Sequence, residues 1–143
     1  QSIQQVAAWI AELQNDFLSQ VTFVPAPPSK AREDPQYDNR LIDILSRAQE
    51  LNPQIHFCDA VIQPESRAAA HTDMEATRSP SVLMHQMQLL DLVGVRGTIA
   101  IFDDMLTSGS TFTAMCSLIR QVYPDHRYLG IFVTRAVEAP ISF

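Results

Sequence analysis

The sequence predicts an α/β protein: a mainly parallel twisted sheet with helices on both faces. Three observations predict it. Segments of helical and strand-like period alternate along the chain as helix, strand, helix, strand, loop, helix, strand, helix, strand, the order that right-handed crossover connections produce. The run Thr98-Ile99-Ala100-Ile101-Phe102 is apolar throughout, as expected of a strand covered on both sides. A chain of 143 residues, 46% hydrophobic and 18% charged, is long enough to bury a core and short enough to read as one domain over residues 1–143.

Ile3, Val6, Ala7, Ile10, Leu13 and Phe17 recur at helical spacing, so an amphipathic helix is expected over residues 2–19, with Trp9 beside its stripe in a packing role. Val21 to Val24 reads as a strand stopped by Pro25, Pro27 and Pro28. A polar loop from Ser29 to Asp38 leads to a helix over 39–51, capped by Asp38 and ended by Asn52-Pro53. Ile55 to Ile62 is expected to be a single strand. Residues 63–80 are polar and aperiodic and hold Arg67, His71 and Arg78; loops of this length are usually lids or binding loops. A helix is expected over 81–92, with Leu83, Met84, Met87 and Leu90 turned inward and the methionines acting as core filler. After the turn 94–97 come the strand 98–102, a helix over 111–123 closed by Pro124-Asp125, and a strand over 128–134.

Composition excludes several classes of function. A net charge of −6, from sixteen acids against one lysine and nine arginines, lacks the basic stripe of a general nucleic-acid binder. No apolar run approaches the roughly 20 residues that cross a bilayer, so no membrane partner is expected. The first twenty residues carry only the acidic Glu12 and Asp16, without the basic start of a secretory leader; a cytoplasmic setting follows. Cys58 and Cys116 form neither a CxxC pair nor part of a His-x-His group and read as buried, reduced thiols. His56, His85 and His126 fall in a strand, a helix and a turn and read as structural.

The chemistry concentrates after the strand 98–102. In an open α/β sheet ligands bind beyond the carboxyl ends of the strands, and Asp103-Asp104 stands there. Paired ionised carboxylates accept hydrogen bonds only, which suits two vicinal hydroxyls or hydrated Mg2+. Thr107-Ser108-Gly109-Ser110-Thr111 follows at a helix start, where small residues let successive N–H groups and hydroxyls converge on an anion. An apolar strand running into a Ser-rich helix cap is the plain structural alternative. A Walker site is disfavoured because no GxxxxGK[ST] is present.

Residues Ile99 to Thr111 resemble the phosphoribosyl pyrophosphate (PRPP) motif of the type I phosphoribosyltransferases. The resemblance implies a type I phosphoribosyltransferase-like fold with a reduced hood, and a Mg2+-dependent glycosyltransferase of nucleotide metabolism. Asp103 and Asp104 would hold the ribose 2- and 3-hydroxyls and, through water or substrate, the metal; Thr107, Ser108, Gly109, Ser110 and Thr111 would wrap the 5-phosphate. The family's pyrophosphate loop follows its first core strand, where this chain places Ser29, Lys30 and Arg32, with Arg40 opening the next helix. This ordering is loosely similar to the ComF-like branch. Arg67 and His71 occupy the position of the family's flexible loop and, with Lys30, Arg32, Asp103 and Asp104, are the candidate catalytic residues. Thr107 stands where purine-salvage members carry an acid, so their base recognition does not transfer. The expected reaction moves a phosphoribosyl group from PRPP to a nitrogenous, nucleobase-like acceptor with release of pyrophosphate. The alternatives are a non-catalytic PRPP or nucleotide sensor or assembly subunit, and a ComF-like accessory protein in DNA uptake or defence. A second copy of the chain or another protein is left open as a partner.

Overall fold

The computed structural model describes residues 2–66, 79–104 and 109–133. The first helix, α1 (Ile3–Ala11), opens on a reciprocal capping box: Ser2 Oγ accepts the Gln5 N–H and Gln5 Oε1 accepts the Ser2 N–H, both at 3.1 Å. The single helix expected over 2–19 is in fact two, because Asn52 donates its side-chain amide to Ala11 O at 2.9 Å and to Asn15 Oδ1 at 3.0 Å. That contact satisfies a terminal carbonyl of α1, and a short α2 (Asn15–Leu18) restarts beyond it. Trp9 is 53% exposed rather than packed.

The strand β1 (Val21–Pro25) is buried along its whole length. Pro25 ends it without losing a ladder bond. Ala26 N–H bonds Phe102 O on one side, and Cys58 N–H bonds Phe23 O on the other. Alternation therefore turns the Pro25 nitrogen toward the side where the neighbouring strand has already left. Helix α3 (Arg40–Leu51) follows, with Asn39 at the cap position; Asp38 Oδ1 instead accepts the Arg40 N–H at 3.0 Å.

Two further expectations are corrected. Residues 55–62 form two short strands in different sheets, β2 (His56–Phe57) beside β1 and β3 (Val61–Ile62) apart from it. Helix α4 (Pro80–Gln86) stops early, and residues expected to continue it form β4 (Gln88–Leu89), antiparallel to β3. The buried Gln63 side chain explains the stop: its Nε2 donates to Gln86 O and to Glu65 O, each at 3.0 Å. Leu90 N–H then reaches Ala60 O at 2.6 Å. A period of two replaces the helical one, so Met87 is buried while Leu90, expected inward, is 37% exposed. The last elements, β5 (Thr98–Asp103), α5 (Ser110–Arg120) and β6 (Arg127–Phe132), fall where the sequence predicts them, within three residues at either end.

The main sheet is four-stranded and parallel throughout, in the order β2-β1-β5-β6. Its two faces carry separate cores. Val21, Phe23, Ala100 and Phe102 join α1 and α3 through Val6, Ile10, Ile44 and Leu45, whereas Val24, Ile99 and Ile101 join α4 and α5 through Leu83, Met115 and Ile119. Strict alternation along β1 and β5 thus places helices on both faces. Among the described residues no helix is long and apolar enough to cross a membrane.

The order reverses between β1 and β5. From β1 the chain moves outward to β2, and it later returns to the opposite flank of β1 to lay down β5 and then β6. This is a topological switch point, where the connecting segments diverge and leave a crevice beyond the strand ends.

Candidate functional site

The switch-point crevice is a real cleft. It encloses about 340 Å3, open solvent included, and is lined by Ala26, Pro27 and Pro28 after β1, Asp38, Arg40 and Leu41 at the start of α3, and Asp103 and Asp104 at the end of β5. The register Pro25↔Phe102 sets the two strand ends level, so both loops leave the sheet at one height. The prolines keep the β1 side short and rigid.

The two acids differ in environment. Asp103 is half-buried and Asp104 exposed. Burial pushes the Asp103 carboxyl up to about 7; the Asp104 N–H, 2.8 Å from Asp103 Oδ1, opposes this, and the neighbouring Asp104 carboxyl adds to it. Among the described residues that line the cleft, Asp38 brings the carboxyls to three, beside the guanidinium of Arg40. Such a set favours a ligand that brings hydrogen-bond donors or a cation.

Beyond Asp104 the described chain resumes at Gly109, which caps α5 in the left-handed region with φ 81°. The cap residue, a glycine, has no side chain to offer this helix, and Gly109 O accepts the Thr113 N–H at 2.9 Å. A left-handed residue ahead of a helix turns its first N–H groups outward as an anion-binding concavity. Ser110 and Thr111 occupy the first turn of α5. Thr107 and Ser108, and likewise Arg67, His71 and Arg78, lie outside the described residues.

The predicted pyrophosphate group divides. Arg40 lines the cleft with the acids. Arg32 instead lines an adjoining hollow on the β2 side, with Tyr37, Asp59 and Gln63, and is paired with Asp59 at 2.7 Å. Ser29 and Lys30 are half-buried. The charge of Lys30 reaches Asp34, whose carboxyl is lowered chiefly by the Gln36 N–H and by Ser66. Ser66 Oγ–H donates to Asp34 Oδ2 at 2.7 Å and accepts the Ala31 N–H at 3.0 Å. These two contacts lash the loop after β1 to the segment following β3. Asp34, Tyr37, Asp38, Asp59 and Ser66 were not singled out by the sequence for a site. Only Asp38, an acid adjoining the start of α3, carried any signal.

The cysteines are free, with Cys116 buried and Cys58 half-buried. His85 Nδ1 lies 2.7 Å from Ser81 O, and His126 Nδ1 lies 2.9 Å from Arg96 O. Both imidazoles are thus engaged by main-chain carbonyls. Among the described residues no three His, Cys, Asp or Glu side chains converge as a metal cage. Comparison with protein-family models, with curated proteins and with solved structures finds no match.

Proposed function

We propose that the chain binds PRPP in the switch-point cleft and transfers its phosphoribosyl group to a nitrogenous acceptor. The observation that carries this reading is a strand that ends at the cleft in two adjacent carboxyls and is followed in the chain by a left-handed glycine opening a helix. Acceptors for a sugar diol then lie close in sequence to donors for its phosphate at the start of α5. The reading of Ile99 to Thr111 as a PRPP motif supplies the rest.

In this mechanism Asp103 and Asp104 accept hydrogen bonds from the ribose hydroxyls, and the first N–H groups of α5 hold the 5-phosphate. Arg40, at the mouth of α3, faces the charge that builds on departing pyrophosphate. Asp103 and Asp104 would hold Mg2+ indirectly, through water or the oxygens of the substrate that carries it in. When bound, that ion neutralises pyrophosphate charge.

A non-catalytic sensor is the second reading, and two observations favour it. Arg32 is committed to Asp59, and α1, the candidate for part of a hood, is built into the core against α3.

Calorimetric titration with PRPP and Mg2+ tests the binding claim. We expect micromolar-range affinity, weakened at least tenfold in Asp104→Asn and in Gly109→Val. Undiminished affinity in both variants overturns the site. Pyrophosphate release with purines, pyrimidines and orotate then separates enzyme from sensor, since tight binding without turnover selects the sensor.

A further inference from the structure

We propose, resting on the reading of the cleft as a PRPP site, that Ser66 and Asp34 are positioning residues for pyrophosphate: together they pin the loop after β1, so that Lys30 stays beside the cleft. The hydroxyl of Ser66 is used in both directions. It donates to Asp34 Oδ2 at 2.7 Å and accepts the Ala31 N–H at 3.0 Å, contacts that join residues 32 and 35 apart in sequence. The other oxygen of the Asp34 carboxyl accepts the Gln36 N–H at 2.9 Å. Main-chain bonds from Asp34 N–H to Ala31 O at 3.0 Å and from Tyr37 N–H to Asp34 O at 2.9 Å fold the same stretch into two successive turns. The post to which this loop is tied is itself anchored. Gln63, 4% exposed, donates from Nε2 to Glu65 O, the carbonyl just ahead of Ser66, and to Gln86 O at the end of α4, each at 3.0 Å.

On its other side the loop begins at Pro27 and Pro28, whose rings stiffen the backbone and which line the cleft. Only Ser29 and Lys30 lie between that wall and the pinned Ala31. Consecutive Cα atoms are about 3.8 Å apart, so the Lys30 Cα stands within about 7.6 Å of the Pro28 Cα. That gap is on the scale of one extended lysine side chain. The Asp34 carboxyl is lowered first by the Gln36 N–H, then by the Ser66 hydroxyl, and least by the charge of Lys30, so lysine and acid lie within electrostatic reach. Ser66→Ala cuts both long-range bonds at one atom and leaves the residues that line the cleft unchanged. The loop then samples more positions, and ordering Lys30 on an anion costs conformational entropy that the native loop has already given up.

The test titrates the full chain, by calorimetry, with magnesium pyrophosphate and separately with ribose 5-phosphate. In Ser66→Ala pyrophosphate should bind about fivefold more weakly, the scale of one intramolecular hydrogen bond, while ribose 5-phosphate binds as it does to the parent. Ser66→Thr keeps the hydroxyl and should restore pyrophosphate binding. In a Lys30→Ala background Ser66→Ala should have no further effect, because the pinned loop then has no lysine to present. Amide exchange at Ala31, read by NMR, reports the tie directly and should quicken in Ser66→Ala but not in Ser66→Thr. Pyrophosphate affinity that is unchanged in Ser66→Ala, that falls equally with ribose 5-phosphate affinity, or that falls again in the Lys30→Ala background overturns the positioning role and leaves the PRPP reading of the cleft standing. A parent protein that binds neither ligand overturns that reading, and the positioning role with it.

Discussion

At the amino ends of the main sheet, Arg96 joins the starts of all four strands. Its guanidinium donates to Leu18 O ahead of β1 at 2.8 Å and to Gln54 O ahead of β2 at 2.7 Å; its N–H reaches Thr22 Oγ1, and its carbonyl engages His126 just before β6. At the carboxyl ends, Asp103 is desolvated beside a second acid, Asp38 adds a third, and α5 opens on a left-handed glycine. One edge satisfies its polar groups internally and the other gathers three carboxyls around a cleft. The contrast is between a polar cluster whose groups satisfy one another and one whose carboxyls crowd together at a cleft.

The largest effect should come from breaking the complete edge. Arg96→Ala removes two charge-assisted hydrogen bonds and leaves two carbonyls short of a partner, a loss of about 3 kcal/mol. Urea unfolding should show it as a lower midpoint with an unchanged slope. PRPP affinity, measured where the variant is folded, should stay within a factor of about two. A loss on the order of 1 kcal/mol or less would mean that the four strand starts are held by packing instead.

The acidic edge should respond in the opposite sense. The folded Asp103 carboxyl titrates at about 7, above its ordinary 3.8, because of burial. The unfolded chain releases this proton near pH 4 and the folded chain keeps it to near neutrality, so the folded state holds more protons between those values. Its contribution to stability is full below pH 4 and is lost as pH rises through 7. Asp103→Asn has no proton to lose. Its melting temperature should exceed that of the parent at pH 8, by about 3 °C, roughly what 1 kcal/mol moves a chain of this size. The difference should shrink toward pH 5. In the same variant PRPP affinity should fall. Stability gained where binding is lost marks a group held in place for a ligand.

The two edges were unequally legible in the sequence. Asp103, Asp104 and Gly109 stand close together in a strand-to-helix connection, so local pattern was enough to find them. The Arg96 cluster was not found, because its partners are two carbonyls, a hydroxyl and an imidazole from distant parts of the chain, and a lone arginine before a strand carries no mark of that. The same reason accounts for the errors in the fold. Ile55 to Ile62 and Ser81 to Leu92 each have one unbroken apolar pattern, and what divides them is tertiary: Phe23 O takes the Cys58 N–H, Ala60 O takes the Leu90 N–H, and Gln63 holds the end of α4. Periodicity reports which face is buried. It does not report against which sheet.

Arg32 lies between the two cases and gives the smallest effect. It was predicted as a pyrophosphate ligand and stands paired with Asp59, with both side chains partly exposed, 41% and 31%. Ion pairs of this exposure contribute about 0–1 kcal/mol, so Arg32→Ala should barely move the unfolding midpoint. Its partner offers the sharper test. Asp59→Asn releases the guanidinium without removing it. If Arg32 exchanges Asp59 for pyrophosphate when the ligand enters, Asp59→Asn should tighten pyrophosphate binding about threefold, and Arg32→Ala should weaken it by a similar factor. Ribose 5-phosphate, which lacks the pyrophosphate, should bind both variants as it binds the parent. Equal pyrophosphate affinities in all three proteins would place Arg32 with the self-satisfied groups of the amino edge and leave Arg40, among the described residues, as the cation that lines the cleft.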